Sequence, residues 1–496
     1  MEAASDLVRA VSRHAGTRPD APALIWRHST ITYRDLASMT ARAANRVADL
    51  PPGSVGVAAA KSPETVALIL GCLGAGRRVL VPAPTLPATT LTGLFDRAGC
   101  VAVLAPAGMA APVPVLEIPV HEGSDLPALG RDEPDAVTFM LTTSGSTGVP
   151  KIVPLTGAAV AAFARWADTE FGLGPGRRVL NYAPLNFDLC LLEVWATLRH
   201  GGCVLLVDPD RAANGQAMLD LLDRHRPHVI QAVPLLYELL LTTARPGHRF
   251  DDVEHVVVTG DAMRPERAAE LGGLFGGARF SNIYGCTETN DSFRHEFTPG
   301  DPVIPLGRPL PEVSALLVAE DGSVLTGPGT GELLVSTPFQ TPGYLGAGDE
   351  KFTTHPTAAD TRRYFRSGDL VRRTDCGELV LVGRTDFRIK VRGQQVDVAQ
   401  VEQVLLDRDD VLESAAFAVP DETAGHVLHI VVRRAAGSGL NSLVLRQHCA
   451  HQLPPAAIPA ALRIVEDPLP RTSTGKVDRK LLAAAHIEPR RETAAV

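Results

Sequence analysis

Between Leu141 and Lys151 the chain reads Leu-Thr-Thr-Ser-Gly-Ser-Thr-Gly-Val-Pro-Lys, a crowd of hydroxyl residues and two glycines that ends in a proline and a lysine. Glycines let backbone N–H groups close around an anion, hydroxyls donate further hydrogen bonds, and a lysine adds a compact positive charge. The stretch therefore suits the phosphates of a nucleoside triphosphate. It is not the common NTPase loop, in which glycine, four residues and then Gly-Lys-Ser/Thr are required, because Val149-Pro150 separates Gly148 from Lys151. The plainer alternative is a solvated Ser/Thr/Gly turn between two apolar segments.

Other residues stand out for chemistry their neighbours lack. Asp188 lies in an apolar run, Asn186-Phe187-Asp188-Leu189-Cys190-Leu191-Leu192-Glu193-Val194-Trp195, where it either caps the helix that follows or serves a function. Ser281-Asn282-Ile283-Tyr284-Gly285-Cys286-Thr287-Glu288 places an aromatic ring and a carboxylate close together. Asp369 follows Gly368, Arg384 sits in Gly383-Arg384-Thr385-Asp386, and Lys476 follows Gly475 near the end of the chain. Only six of the 48 basic residues are lysine (61, 151, 351, 390, 476 and 480), so a lysine retained here can be doing what a planar guanidinium cannot.

The elements that must hold these residues follow from hydrophobic spacing. Residues 5 to 15, 35 to 50, 64 to 73 and 157 to 171 read as helices, and 235 to 241 as a helix begun after Pro234. Between them lie short aliphatic runs at 31 to 33, 55 to 60, 79 to 82, 101 to 104, 204 to 207, 229 to 233 and 255 to 258. That alternation predicts parallel strands covered by helices. From Val313 to Val335 the chain turns β-rich with a hairpin at Asp321-Gly322, and the last 110 or so residues mix strands at 387 to 393 and 411 to 434 with a helix at 401 to 406.

The 496 residues allow more than one domain, and 45% hydrophobic with 21% charged residues is ordinary globular composition. A net charge of −8 argues against nucleic-acid or anionic-membrane partners. The absence of a long uncharged apolar run, and of an apolar signal core, predicts a soluble cytoplasmic protein. Seven scattered cysteines without a Cys-x-x-Cys pair fit neither a disulfide framework nor a zinc site.

Taken together, Thr143-Ser144-Gly145-Ser146-Thr147-Gly148-Val149-Pro150-Lys151, Phe187-Asp188 with Glu193, Tyr284 to Glu288, Ser367-Gly368-Asp369, Gly383-Arg384-Thr385-Asp386 and Thr474-Gly475-Lys476 resemble, in order, the motifs of the adenylate-forming superfamily. The resemblance spans about residues 30 to 480 and is nearest to free-standing amino acid adenylation enzymes of the nonribosomal peptide type. It implies an α/β and α+β fold: a large domain, 1 to 385, of helix-covered sheets with a β-barrel-like subdomain, and a small mobile C-terminal domain, 386 to 496, hinged at Asp386.

The implied reaction uses ATP and Mg²⁺ to convert an amino acid to aminoacyl-AMP with release of pyrophosphate. The acyl group then passes to the phosphopantetheine thiol of a separate acyl or peptidyl carrier protein, because only 16 residues follow Lys480. By resemblance, Thr143, Ser144, Gly145, Ser146, Thr147, Gly148 and Lys151 hold the phosphates, Tyr284 stacks on adenine beside Thr287, Glu288 ligates the metal, and Asp369 with Arg384 meets the ribose. Lys476 is the mobile catalytic lysine. Asp188 meets the substrate ammonium in a pocket walled by Leu189, Leu192, Leu235, Val257, Thr259, Ile283, Asp291 and Ser292. Asp291 conflicts with the otherwise aliphatic wall: it serves a further amine or hydroxyl, receives a β-amino group, or turns to solvent. Cys286, where proline is usual, is expected to pack. The competing implication is an acyl- or aryl-CoA ligase, which shares the nucleotide motifs without needing Asp188.

Overall fold

The structure, a computed structural model, describes residues 4–105, 114–117, 135–143, 150–346, 348, 350–355, 361–385, 388–391, 394–421, 425–453, 457–472 and 476–487. Ser144 to Gly148, Asp386 and Gly475 lie outside the described residues. The chain divides into two compact units: Met1–Ala315 with Val335–Phe365, and Leu316–Leu334 with Arg366–Val496.

Local signals set the helix boundaries in the first unit. Thr32 and Asp35 form a reciprocal capping box at the start of helix Tyr33–Ala48. Tyr33, expected in a strand, opens that helix, and its buried hydroxyl donates to Gly202 O at 2.7 Å. Ser62 caps helix Pro63–Gly74, whose residues are buried on nearly every face, as befits a helix apolar all round. Thr156 caps Gly157–Phe171, which ends at Gly172 in the left-handed region.

Two sheets dominate this unit. The nine-stranded sheet runs Arg308–Pro309, Asn290–Phe297, Arg279–Cys286, His255–Thr259, Val229–Ala232, Arg178–Asn181, Cys203–Leu206, Pro22–Trp26, Ser29–Thr32. Its neighbours from Arg279–Cys286 across to Pro22–Trp26 are parallel. The six-stranded sheet is mostly parallel but ends in the antiparallel pair Val137–Thr143 and Lys151–Thr156. The main core joins helices Tyr33–Ala48, Pro63–Gly74 and Gly157–Phe171 to both sheets.

The second unit is α+β. Its residues Asp369–Arg373 pair antiparallel with Leu379–Arg384. Farther along, Val411–Asp421, Gly425–Arg434 and Ala461–Val465 form a three-stranded sheet whose core includes helices Val398–Leu406 and Ser442–Gln452. None of the seven cysteines is disulfide-bonded. Among the described residues, no helix is long and apolar enough to cross a membrane.

Candidate active site

In a helix-covered parallel sheet, ligands gather beyond the carboxyl ends of the strands. Four adjacent strands of the nine-stranded sheet end at Asn181, Ala232, Thr259 and Cys286. The residues expected to wall a pocket lie at or just past these ends: Asp188 and Leu189 after the first, Leu235 after the second, Val257 and Thr259 in the third, Ile283 and Tyr284 in the fourth. Leu189, Leu192, Val257, Thr259 and Ile283 are buried, whereas Asp188 is half-buried.

Asp188 sits in consecutive turns, Phe187 N to Pro184 O at 3.0 Å and Leu191 N to Asp188 O at 2.8 Å, that lead into the segment Leu191–Ala196. That segment is a π-helix, a form that appears mostly as short bulges and often at functional sites. Its cap position is Cys190, and no side chain caps it. Asp188 is thus not the residue at that cap position.

Glu288 is presented by a tight hairpin. Strands Arg279–Cys286 and Asn290–Phe297 pair with Cys286 opposite Asn290, leaving Thr287, Glu288 and Thr289 at the tip. Asn290 takes a left-handed conformation, φ 52°, which lets a three-residue loop close. Gly285 is required at the shoulder, since a Cβ there would stand 2.4 Å from Asn290 O. Cys286 is half-buried with Sγ 3.1 Å from Thr289 Oγ1, in keeping with a packing role. Tyr284 is half-buried with its ring edge-on to Phe293, centroids 5.9 Å apart.

Strands Val137–Thr143 and Lys151–Thr156 flank the glycine-rich stretch and pair as a hairpin, with Thr143 opposite Lys151 in the register. Tyr344 joins this hairpin to the Glu288 tip. Its hydroxyl donates to Glu288 Oε1 at 2.7 Å, and Lys151 Nζ lies 4.3 Å from its ring centroid. Burial and the adjacent carboxylate raise the Tyr344 phenol, which keeps it a donor. The backbone repeats the link: Leu345 N donates to Ile152 O at 3.1 Å and Thr341 N to Glu288 O at 2.8 Å. In the sequence Gly343-Tyr344 stands out as a dipeptide but carries no sign of this role.

Asp291 is half-buried, and it does not turn to open solvent. Burial, reinforced by the charge of Asp188, pushes its carboxyl up to about 8. Ser292 is fully buried and its hydroxyl is spent inside the hairpin, donating to Asn290 O at 3.1 Å.

In the second unit, Asp369 and Arg384 face each other in the strand register and form an ion pair. Gly368, at φ 76° within strand Tyr364–Arg373, takes a conformation that suits glycine, and Thr385 Oγ1 donates to Gly368 O at 3.1 Å. Lys476 is exposed, on a hairpin closed by Thr472 N to Lys476 O at 2.7 Å and by a bridge between Arg471 and Val477. Glu413 holds that hairpin, accepting from Arg471 and from Leu469 N.

Comparison with known proteins fits this geometry. The AMP-binding enzyme family model matches residues 11–345, and the AMP-binding enzyme C-terminal domain model matches residues 400–476. The chain belongs to this family: it is an adenylate-forming ligase. It is 33% identical over 491 residues to phenyloxazoline synthase MbtB from Mycobacterium sp. (strain MCS), covering 95% of this chain and 41% of that protein. It is 29% identical over 372 residues to the L-proline–[L-prolyl-carrier protein] ligase of Pseudomonas fluorescens, covering 73% of this chain and 72% of that one. The solved four-domain nonribosomal peptide synthetase AB3403, bound to AMP and glycine, superposes with TM-score 0.81 at 24% identity, covering 100% of this chain and 38% of that chain, a likeness of fold. The first curated relatives are much longer, this chain spanning 41%, 41% and 34% of them.

Proposed function

We infer that this enzyme activates an amino acid as aminoacyl-AMP and hands the acyl group to the phosphopantetheine thiol of a carrier protein. The observation that carries the reading is Asp188, a half-buried carboxylate in a pocket wall that is aliphatic apart from Thr259, Asp291 and Ser292. A carboxylate at the wall of a substrate pocket favours a cationic ligand group, and an amino acid's ammonium is such a group. A coenzyme A ligase for amine-free acids brings none. The prolyl-carrier protein ligase among the relatives supports the same reading.

In the first half-reaction the substrate carboxylate attacks the α-phosphorus of ATP and pyrophosphate leaves. Both reactants are anionic, so catalysis is chiefly charge stabilisation. Thr143, Lys151 and the intervening loop receive the β- and γ-phosphates, Tyr284 stacks on the adenine beside Thr287, and Asp369 accepts from the ribose hydroxyls next to Arg384. Lys476 meets the reacting carboxylate and α-phosphate oxygens. Among the described residues no three His, Cys, Asp or Glu gather as a metal cage. Magnesium does not need one, because it rides on substrate phosphates with one or two carboxylates, and when bound it neutralises their charge. Glu288, steered by Tyr344, is the carboxylate that would hold it.

The division at Asp386, with residues 386–496 as a swinging C-terminal domain, belongs to this proposal, since it would carry Lys476 away after adenylation and let the thiol attack the acyl carbonyl, with AMP leaving. The test is direct product detection. Enzyme, ATP, Mg²⁺ and a panel of amino acids should yield aminoacyl-AMP by mass, and added carrier protein bearing phosphopantetheine should gain the acyl mass. Acyl transfer to free coenzyme A but not to any carrier would assign the enzyme to the rival class.

A further inference from the structure

Beneath the Asp188 turn lies a buried polar cluster that the adenylation reading leaves unused. Lys61, 7% exposed, directs Nζ at three consecutive backbone carbonyls: Asn181 O at 3.0 Å, Tyr182 O at 3.1 Å and Ala183 O at 3.1 Å. Glu193, on the π-helix and fully buried, accepts at Oε2 from Asn181 Nδ2 at 2.6 Å and from Ala183 N at 3.2 Å. Cys190 Sγ donates to Pro184 O at 3.1 Å, and Gln231 Nε2 to Leu189 O at 3.2 Å. Every one of these contacts ends on the stretch from Asn181 to Leu189 or on the side chains that grip it.

Stability does not call for such an arrangement. Buried charged groups commonly do no better than apolar residues of the same volume. What this cluster offers is geometry. Three acceptors in a row converge on one point, which an ammonium with three rotatable donors satisfies and a planar guanidinium does not. In a chain with only six lysines among 48 basic residues, lysine stands here. The grip is applied where strand Arg178–Asn181 ends and the chain turns toward Asp188, so a small displacement at Ala183 moves the pocket wall.

We propose that Lys61, acting with Glu193 on the same stretch, is a positioning residue for the amino-acid pocket: it clamps the chain at Asn181 to Ala183 and thereby holds Asp188 and Leu189 against the substrate. The proposal rests on the reading that Asp188 meets the substrate ammonium. Burial lowers the Lys61 ammonium and raises the Glu193 carboxyl. Lys61 is faced by Glu193, Cys190 and Asp208, and Glu193 by Lys61, Asn181, Gln231 and Tyr237, while Asp188 acts on Cys190.

The experiment compares wild type with the charge-neutral double variant Lys61→Met/Glu193→Gln in pyrophosphate exchange, using the best amino acid of a panel. The expected result is a melting temperature close to wild type, an amino-acid KM raised about tenfold, as the loss of a few buried hydrogen bonds implies, and an ATP KM within about twofold. A wild-type amino-acid KM, or an equal rise in both KM values, overturns the proposal. If the double variant does not fold, amide exchange of the wild type decides. Between about pH 6 and 10, corrected for the intrinsic rate, protection of Tyr182 to Leu189 should fall as Lys61 loses its proton and one donor; unchanged protection overturns the proposal. That arm needs no substrate. A chain that exchanges pyrophosphate with no amino acid would therefore refute the amino-acid reading separately from the clamp.

Discussion

Tyr344 and Glu288, 56 positions apart in the chain, are joined by a hydrogen bond of 2.7 Å from the phenol to Oε1. The same ring receives the Lys151 ammonium on its face. One aromatic side chain thus fixes both the lysine that leaves the glycine-rich loop and the carboxylate proposed to hold magnesium.

Tyr344→Phe keeps the ring and removes only the donor. A hydrogen bond to a charged group contributes about 1.5–3 kcal/mol, so the magnesium concentration for half-maximal exchange should rise roughly tenfold, with amino-acid KM unmoved. Titrating Mg²⁺ in wild type and variant checks this. Identical curves would show that Glu288 is aimed by the backbone alone. Glu288→Gln should cost more, at least a hundredfold in rate.

Lys476 should serve one half-reaction. Lys476→Ala should cripple adenylation, while thioester formation from supplied aminoacyl-AMP stays within a few-fold of wild type. Single-turnover assays of the two halves separate them, and equal losses in both would contradict the assignment.

Asp291 predicts a pH-dependent stability. Its carboxyl, ordinarily near 3.8, is raised to about 8 in the folded chain. The folded state therefore holds a proton that the unfolded state has released across that interval, and stability falls as pH rises from about 4 to about 8. Asp291→Asn removes the penalty. Melting temperatures of the two proteins should diverge in favour of the variant as pH rises toward 8, then run parallel. A constant gap would show that Asp291 titrates normally.

Much of this fold was legible because hydrophobic spacing reports it directly. The helix read at 157 to 171 is Gly157–Phe171, and the aliphatic runs at 229 to 233 and 255 to 258 are adjacent parallel strands. Asp188 was legible because a carboxylate among leucines is conspicuous. Its setting was not: nothing in the composition of Leu191–Ala196 separates a π-helix from an α-helix. Lys61 was marked only as one of six lysines, and its role was hidden for a different reason. A single lysine before Ser62-Pro63 reads as a solvated residue at a helix start, and its carbonyl partners lie 120 to 122 positions away. Tyr344 likewise gains its meaning from Glu288 and Lys151, which only the folded chain brings to it.

Carboxylate-dependent exchange of pyrophosphate into ATP, run on wild type and Asp188→Ala, tests the central claim most directly. The panel should hold α-, β- and D-amino acids, with aryl and fatty acids as controls. The account predicts exchange with an amino acid that falls by about a hundredfold or more in Asp188→Ala, the loss expected when one partner of a buried ion pair is removed. Exchange only with amine-free acids, untouched by the substitution, would contradict it.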